Sequence, residues 1–357
     1  MDNNSIIVVK GSLKEYAWGK LNGLANWGTT TDKAQAELWF GDHPEGKSID
    51  KSTNKEIKTN SSFPLLMKLL CANEPLSIQV HPDQQTAESG MQEFENSDKI
   101  FSDNNGKDEM LFALEEFQAF AGVESKEKRD VVFNLLFKKS QESHIAEVIQ
   151  TSTFFDAADI IFAIPEAKIK ILNNLVIECA KEAKFNQKAI SAFEKIVTKY
   201  PNDPGVLVCL LMQFHVLEKG QAIHLSPGTP HSYVKGLAVE IMTSSDNVLR
   251  MGLTNKPINI DAALSIVQEK QIQVMSLDTT DGVHIYKPEA DYELVAVDNA
   301  TYKSRDTKFA GVLNLEGKTT ISHGSIEVVL EKGEAALFSN IDANVVVDGH
   351  AVVARTL

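Results

Sequence analysis

A seven-residue unit occurs twice in this chain. Val216-Leu217-Glu218-Lys219-Gly220-Gln221-Ala222 returns as Val329-Leu330-Glu331-Lys332-Gly333-Glu334-Ala335, displaced by 329 − 216 = 113 residues. Each copy runs from apolar residues through a Glu-Lys-Gly turn signal into a second apolar stretch, residues 223–225 or 336–338, closed by Ser226 or Ser339. Strand, glycine turn, strand predicts a β-hairpin. Its return at a spacing of domain size predicts a duplicated β unit, and so two β-barrel or jelly-roll domains. The copies then diverge. The first continues Gly228-Thr229-Pro230-His231 and the second Ile341-Asp342-Ala343-Asn344, so Asn344 falls where His231 stands. Only the first copy keeps an imidazole able to hold a metal.

The rest of the 357 residues fits around this duplication. Up to about residue 122 the pattern is strand-like, with short apolar runs at 6–9 and 76–80. Between 124 and 213 the period changes to that of helices: Val131, Val132, Leu135 and Leu136 form one stripe and Ala192, Ile196, Val197 and Tyr200 another. Pro201 and Pro204 stop the second stripe. Short strands return at 292–297, 326–330 and 344–347. The expected architecture is mainly β with a helical insertion. Residues 1–123 and 214–275 form a first jelly roll, 124–213 a helical domain, and 276–357 a second jelly roll without metal.

Charge and cysteine content narrow the function. Lys+Arg 35 against Asp+Glu 49 gives a net charge of −14, which argues against general nucleic-acid or anionic-membrane binding. Any bound anion needs a local cluster of cations. Cys71, Cys179 and Cys209 have no C-x-x-C spacing, so neither a disulfide framework nor a thiolate zinc site is expected. The apolar run at 6–9 is short and follows no basic segment, and no stretch approaches 18 apolar residues. The expectation is a cytoplasmic monomer.

Several residues suit a metal. Gln79 and His81 lie two apart in Ser77-Ile78-Gln79-Val80-His81-Pro82 and point to the same face of a strand. Glu109 opens an apolar run, and His231 follows a Gly-Thr-Pro turn. Together they make an N/O set suited to zinc, with positions left for water or substrate. The other histidines, His43 and His224 among them, have no comparable context. The spacing Gly220-x5-Ser226-x-Gly228-x2-His231 is similar to the second signature of the cupin superfamily, with Ser226 in place of a proline.

The larger pattern resembles one family, the type I phosphomannose isomerases. The matching segments are Tyr16-Ala17-Trp18-Gly19, Ala36-Glu37-Leu38-Trp39-Phe40-Gly41 with His43-Pro44, Pro64-Leu65-Leu66-Met67-Lys68, and Pro75 to Pro82. Then follow Lys107-x-Glu109-Met110, Gly228-x-Pro230-His231-Ser232-Tyr233, and Ser245-Asp246-Asn247-Val248-Leu249-Arg250 through Lys256. The resemblance implies one Zn²⁺ per chain held by Gln79, His81, Glu109 and His231, within a catalytic cupin jelly roll interrupted by a helical domain. It also implies interconversion of mannose 6-phosphate and fructose 6-phosphate through a cis-enediol. That chemistry needs charge stabilisation at the enediol oxygens, a proton carrier and a ring-opening acid–base pair. Arg250, Lys107, Glu240 and Asp246 are the catalytic candidates. Trp18, Lys68, Ser77 and Lys256 are the candidates for holding the phosphosugar. Gly106 and Asp108 depart from the family's His-Lys-Pro-Glu-Met segment, which removes a histidine proposed for ring opening and places a negative charge beside Glu109. The alternative reading is a non-catalytic metal-binding cupin that senses a phosphosugar.

Overall fold

A computed structural model describes residues 6–57, 63–93, 100–276, 281–304, 307–341 and 345–357. Among these residues, two large antiparallel sheets of ten and nine strands form the framework. Helices Lys126–Ser140, Ser143–Gln150, Phe154–Phe162, Glu166–Glu182, Gln187–Lys199 and Gly205–Val208 fill the predicted helical section. The helical section leaves the sheet after strand Phe117–Val123 and returns as Met212–Leu217, and these two strands pair with each other. The insertion therefore leaves the sheet continuous. Its last long helix buries Ala192, Phe193, Ile196 and Val197 and ends at Lys199, with Tyr200 as its C-cap directly before Pro201.

The repeated Glu-Lys-Gly turn is a corner, not the expected hairpin. Met212–Leu217 pairs with Phe117–Val123, whereas Ala222–Leu225 pairs with Glu109–Ala113. The second copy does the same with one long strand, Thr307–His323: Ile326–Glu331 pairs with residues 318–323 and Glu334–Ile341 with residues 307–313. A two-residue hairpin would keep both arms on one ladder; here the sheet curls and each arm takes its own neighbour. Strands His231–Thr243 and Val345–Thr356 then run along both halves of the curled segment. Gly236 and Gly349, again 349 − 236 = 113 apart, sit within them at φ 136° and 141°. A Cβ would lie 2.7 Å from the Glu116 carbonyl oxygen at the first and 2.7 Å from that of Lys318 at the second, so only glycine lets either strand step across the corner. The duplication thus extends to backbone geometry well outside the seven residues. Asn344 lies outside the described residues.

The sheets stack through one apolar layer. Strand Leu65–Ala72 is buried at every residue. Leu65, Met67, Leu69 and Cys71 face a cluster shared with Leu294, Leu313, Leu337 and Val352 of the second sheet. Leu66, Lys68, Leu70 and Ala72 face the other way, because successive side chains alternate across a strand. Leu38, Met110 and Val239 on neighbouring strands join the apolar layer, which leaves Glu37, Glu109 and Glu240 on the opposite face with Lys68. One boundary differs from the sequence reading: Ile7–Lys10 pairs with Glu334–Ile341 and with Ile49–Asp50, so these strands and Lys55–Glu56 extend the second sheet.

Candidate metal centre and cleft

The inner face of the first sheet carries its charge in rows. Trp39, Lys68 and Glu240 are opposed across three adjacent strands. Arg250, Gln79 and His231 form another row, with Arg250 opposite Gln79 and Gln79 opposite His231. Residues directly opposed in antiparallel strands project to the same side, so Gln79 and Arg250 share the face of His231.

His81, Glu109 and His231 bring their ligand atoms within 4.8 Å of one another, and all three are buried. Each imidazole is fixed from behind. The Nδ1–H of His81 donates to the Asn247 carbonyl at 2.7 Å, and that of His231 donates to the Thr229 carbonyl at 3.0 Å. The opposite ring nitrogens, Nε2, then face inward, each 3.4 Å from Glu109 Oε2. His81 Nε2 is buried without a hydrogen-bond partner. Burial, with the charge of Lys107, lowers the His81 pKa to about 4, so the ring is neutral near pH 7. Two oriented imidazoles and a carboxylate converging on a buried orphan lone pair fit a divalent metal. Gln79 Nε2 donates to Ser77 Oγ at 3.2 Å, which orients the amide. Gly228 closes the arrangement: its N–H donates to the His81 carbonyl at 2.8 Å, tying the turn before His231 to the other ligand.

Glu109 works in two directions. Its Oε1 pairs with Lys107 Nζ at 3.0 Å. Burial pushes the Glu109 carboxyl up, but the Lys107 ammonium outweighs it and holds it well below the usual range. Asp108 does not crowd this site. It precedes Glu109 and turns to the other face, where it accepts from Tyr292 Oη at 2.5 Å and lies 2.9 Å from His224 Nε2.

A second buried cluster lies beside the first. Lys68 Nζ donates to Glu240 Oε2 at 2.9 Å and lies 4.0 Å from Glu37 Oε1. Tyr233 Oη donates to Glu240 Oε1 at 2.8 Å, and Trp39 Nε1 donates to Glu37 Oε2 at 2.9 Å. Burial works against the Lys68 charge, but Glu240 and Glu37 raise its pKa above the ordinary value; burial likewise raises that of Glu37. Lys68→Met leaves both carboxylates without their cation and is expected to destabilise the fold by about 3–5 kcal/mol near neutral pH. Glu37, already raised by burial, loses the Lys68 charge that opposed the rise, so stability is lost as pH rises through its folded value. Its unfolding midpoint should therefore lie closer to wild type near about pH 5 than near about pH 8. An equal deficit at both would refute this account of the cluster.

The remaining candidates sit further out. Arg250 is half-buried with no ion-pair partner among the described residues, and burial lowers its pKa. Lys256 is exposed on the loop beyond it. Trp18 packs against the apolar cluster that includes Leu70 and Tyr233. Asp246, with its side chain 43% exposed, lies 3.4 Å from Nε2 of His43, whose Nδ1 accepts the Glu45 N–H at 3.3 Å. Sequence reasoning misses His43, Glu37, Tyr233 and Asn247. Alternation along Glu37-Leu38-Trp39 is a usable signal for Glu37, since Leu38 must face the core.

Fold and site define a mainly β protein with a buried group of two imidazoles and a carboxylate that could hold a metal ion. Residues 6–125 match the family described as phosphomannose isomerase type I, catalytic domain. Mannose-6-phosphate isomerase of Escherichia coli is 28% identical and aligns over 96% of this chain and 97% of its own. The human enzyme of the same name is 28% identical over 70% of each chain. The fold superposes on a phosphomannose isomerase variant from Salmonella typhimurium with TM-score 0.84 at 23% identity, covering 99% of this chain and 100% of that one. A mannose 6-phosphate isomerase bound with zinc and yttrium superposes at TM-score 0.83 and 23% identity, with the same coverage. The chain is thus similar to the type I phosphomannose isomerases over nearly its whole length.

Proposed function

We propose that the chain is a zinc-dependent aldose–ketose isomerase that interconverts mannose 6-phosphate and fructose 6-phosphate. The observation that carries the reading is the pair of oriented imidazoles facing Glu109, beside an Arg250 that has no ion-pair partner among the described residues. His81, Glu109 and His231, with Gln79 as fourth, would hold the ion. When bound, it supplies the positive charge on which the enediolate oxygens depend.

The chain's own residues divide the remaining work. Arg250 and Lys107 hold substrate oxygens, Arg250 through a forked guanidinium and Lys107 as a point charge. Lys256 and Ser77 receive the outer part of the phosphosugar, and Trp18 contributes an apolar wall. Both oxygens of Glu240 are engaged, by Tyr233 and Lys68, so we assign it the orientation of Lys68. Ring opening falls to Asp246. Its partner His43, with Nδ1 accepting from Glu45, directs Nε2–H at the carboxylate. No side chain at position 106 can take that part, because a Cβ there would lie 2.5 Å from the Gln84 nitrogen. In domain terms we read a metal-holding cupin jelly roll, a helical insertion and a second jelly roll without metal, acting as a cytoplasmic monomer on one small phosphosugar.

A coupled assay for fructose 6-phosphate, started with mannose 6-phosphate and zinc-loaded protein, tests the reading. Steady turnover is expected. Saturable binding of mannose 6-phosphate with no product would favour the phosphosugar sensor.

A further inference from the structure

The Ser245-Asp246-Asn247 segment is bound to the metal centre at two points. Asn247 is fully buried. Its Oδ1 accepts the backbone N–H groups of Ser102 and Asp103 at 2.7 and 3.2 Å. Its Nδ2 donates to the carbonyls of Asp103 and Asn105, both at 2.8 Å. Its own backbone carbonyl is the acceptor for His81 Nδ1–H at 2.7 Å. Asp103 returns the grip, accepting from Ser245 Oγ at 3.0 Å and from the Asp246 N–H at 2.7 Å. The gripped segment, residues 102–105, leads directly into Lys107 and Glu109.

We propose that Asn247 is a positioning residue that sets zinc affinity by locking the backbone holding His81 to the segment that delivers Glu109. Asn247 is joined to one ligand by its main chain and to the approach of the other by its side chain. An asparagine amide suits this double attachment, because it offers two acceptor lone pairs and two donors at once, and here it meets two N–H groups and two carbonyls. Alanine keeps the carbonyl that faces His81 but releases the peptide carrying it. Aspartate keeps the two acceptor contacts, loses both donations, and adds a charge beside the Asp103 carboxylate. Partners that orient metal-ligating imidazoles typically set affinity by about 10- to 100-fold. The inference rests on the metal reading above.

The test compares full-length wild type, Asn247→Ala, Asn247→Asp and Asp103→Asn. Zinc affinity is measured by competition with a chromophoric chelator, and thermal midpoints are taken with and without zinc. Zinc affinity is expected to fall about 10- to 100-fold in both Asn247 variants and by a smaller factor in Asp103→Asn, with a correspondingly smaller zinc-induced rise in midpoint. A purely structural role would lower the zinc-free midpoint and leave the zinc-induced rise unchanged, and that result overturns the proposal. Asp103 is only half-buried, so its variant decides the matter if the Asn247 variants do not fold; wild-type affinity in Asp103→Asn would then overturn the proposal. Failure of the wild type itself to bind zinc would instead remove the metal reading.

Discussion

Chelation of the metal, and separately His81→Ala, is expected to lower isomerisation by at least about 10²-fold, a loss on the scale of removing one electrostatic stabiliser of the transition state. Zinc should restore the chelated wild type and not the variant. The reason is geometric. His81 Nε2 is a buried lone pair with no hydrogen-bond partner among the described residues, and the Asn247 carbonyl fixes the ring so that this lone pair faces Glu109. Alanine removes one of the two imidazoles that face Glu109. Elemental analysis of the loaded protein should give one ion per chain, because the row of Gln79 and His231 belongs to the first sheet. Full turnover by metal-free His81→Ala protein would end this reading. A second tightly held ion in the C-terminal unit would contradict the assignment of a single site.

Arg250→Ala is expected to lower kcat by about 10²- to 10³-fold while zinc content and thermal midpoint stay near wild type. A guanidinium at the surface usually finds a carboxylate, and losing such a pair costs little. Arg250 differs: it is partly desolvated, has no ion-pair partner among the described residues, and stands in the same row as Gln79 and His231. A cation kept without a counter-charge beside a metal centre is available for an anionic oxygen of substrate or transition state. Steady-state kinetics with mannose 6-phosphate separates the roles. A raised KM with kcat intact would reassign Arg250 to ground-state phosphate binding, and wild-type values for both would remove it from the site.

Much of this is legible because it depends on local pattern. Period-2 alternation puts Gln79 beside His81, the period change at 124 marks the helices, and the Glu-Lys-Gly unit announces the duplication. What escapes depends on distant partners. The turn signal in residues 218–221 is the same whether its two arms pair with each other or with separate neighbours, so a corner reads as a hairpin. The apolar run at 76–80 reads as one strand, yet only Gln79–Val80 pairs, since Leu76 and Ile78 bond to backbone atoms of Tyr233 and Gly252. Asp108 reads as a charge beside a ligand until the alternation of its strand turns it towards Tyr292, 184 residues away. His43 gives no local signal because its partner, Asp246, is brought to it only by the closed sheet.

Ile7 lies opposite Leu337 and Lys10 opposite Glu334. During synthesis the first strand meets Ile49–Asp50 early but emerges long before its other neighbour, Glu334–Ile341, exists. Contacts this remote in sequence close slowly, because the entropy of a very long loop must be lost before any bond is gained. The nascent protein must pass through a period in which its N-terminal segment is exposed to wrong pairings and to chaperones. Once seated, the same strand fastens the beginning of the chain to its last sheet, so the two β units should melt in a single transition.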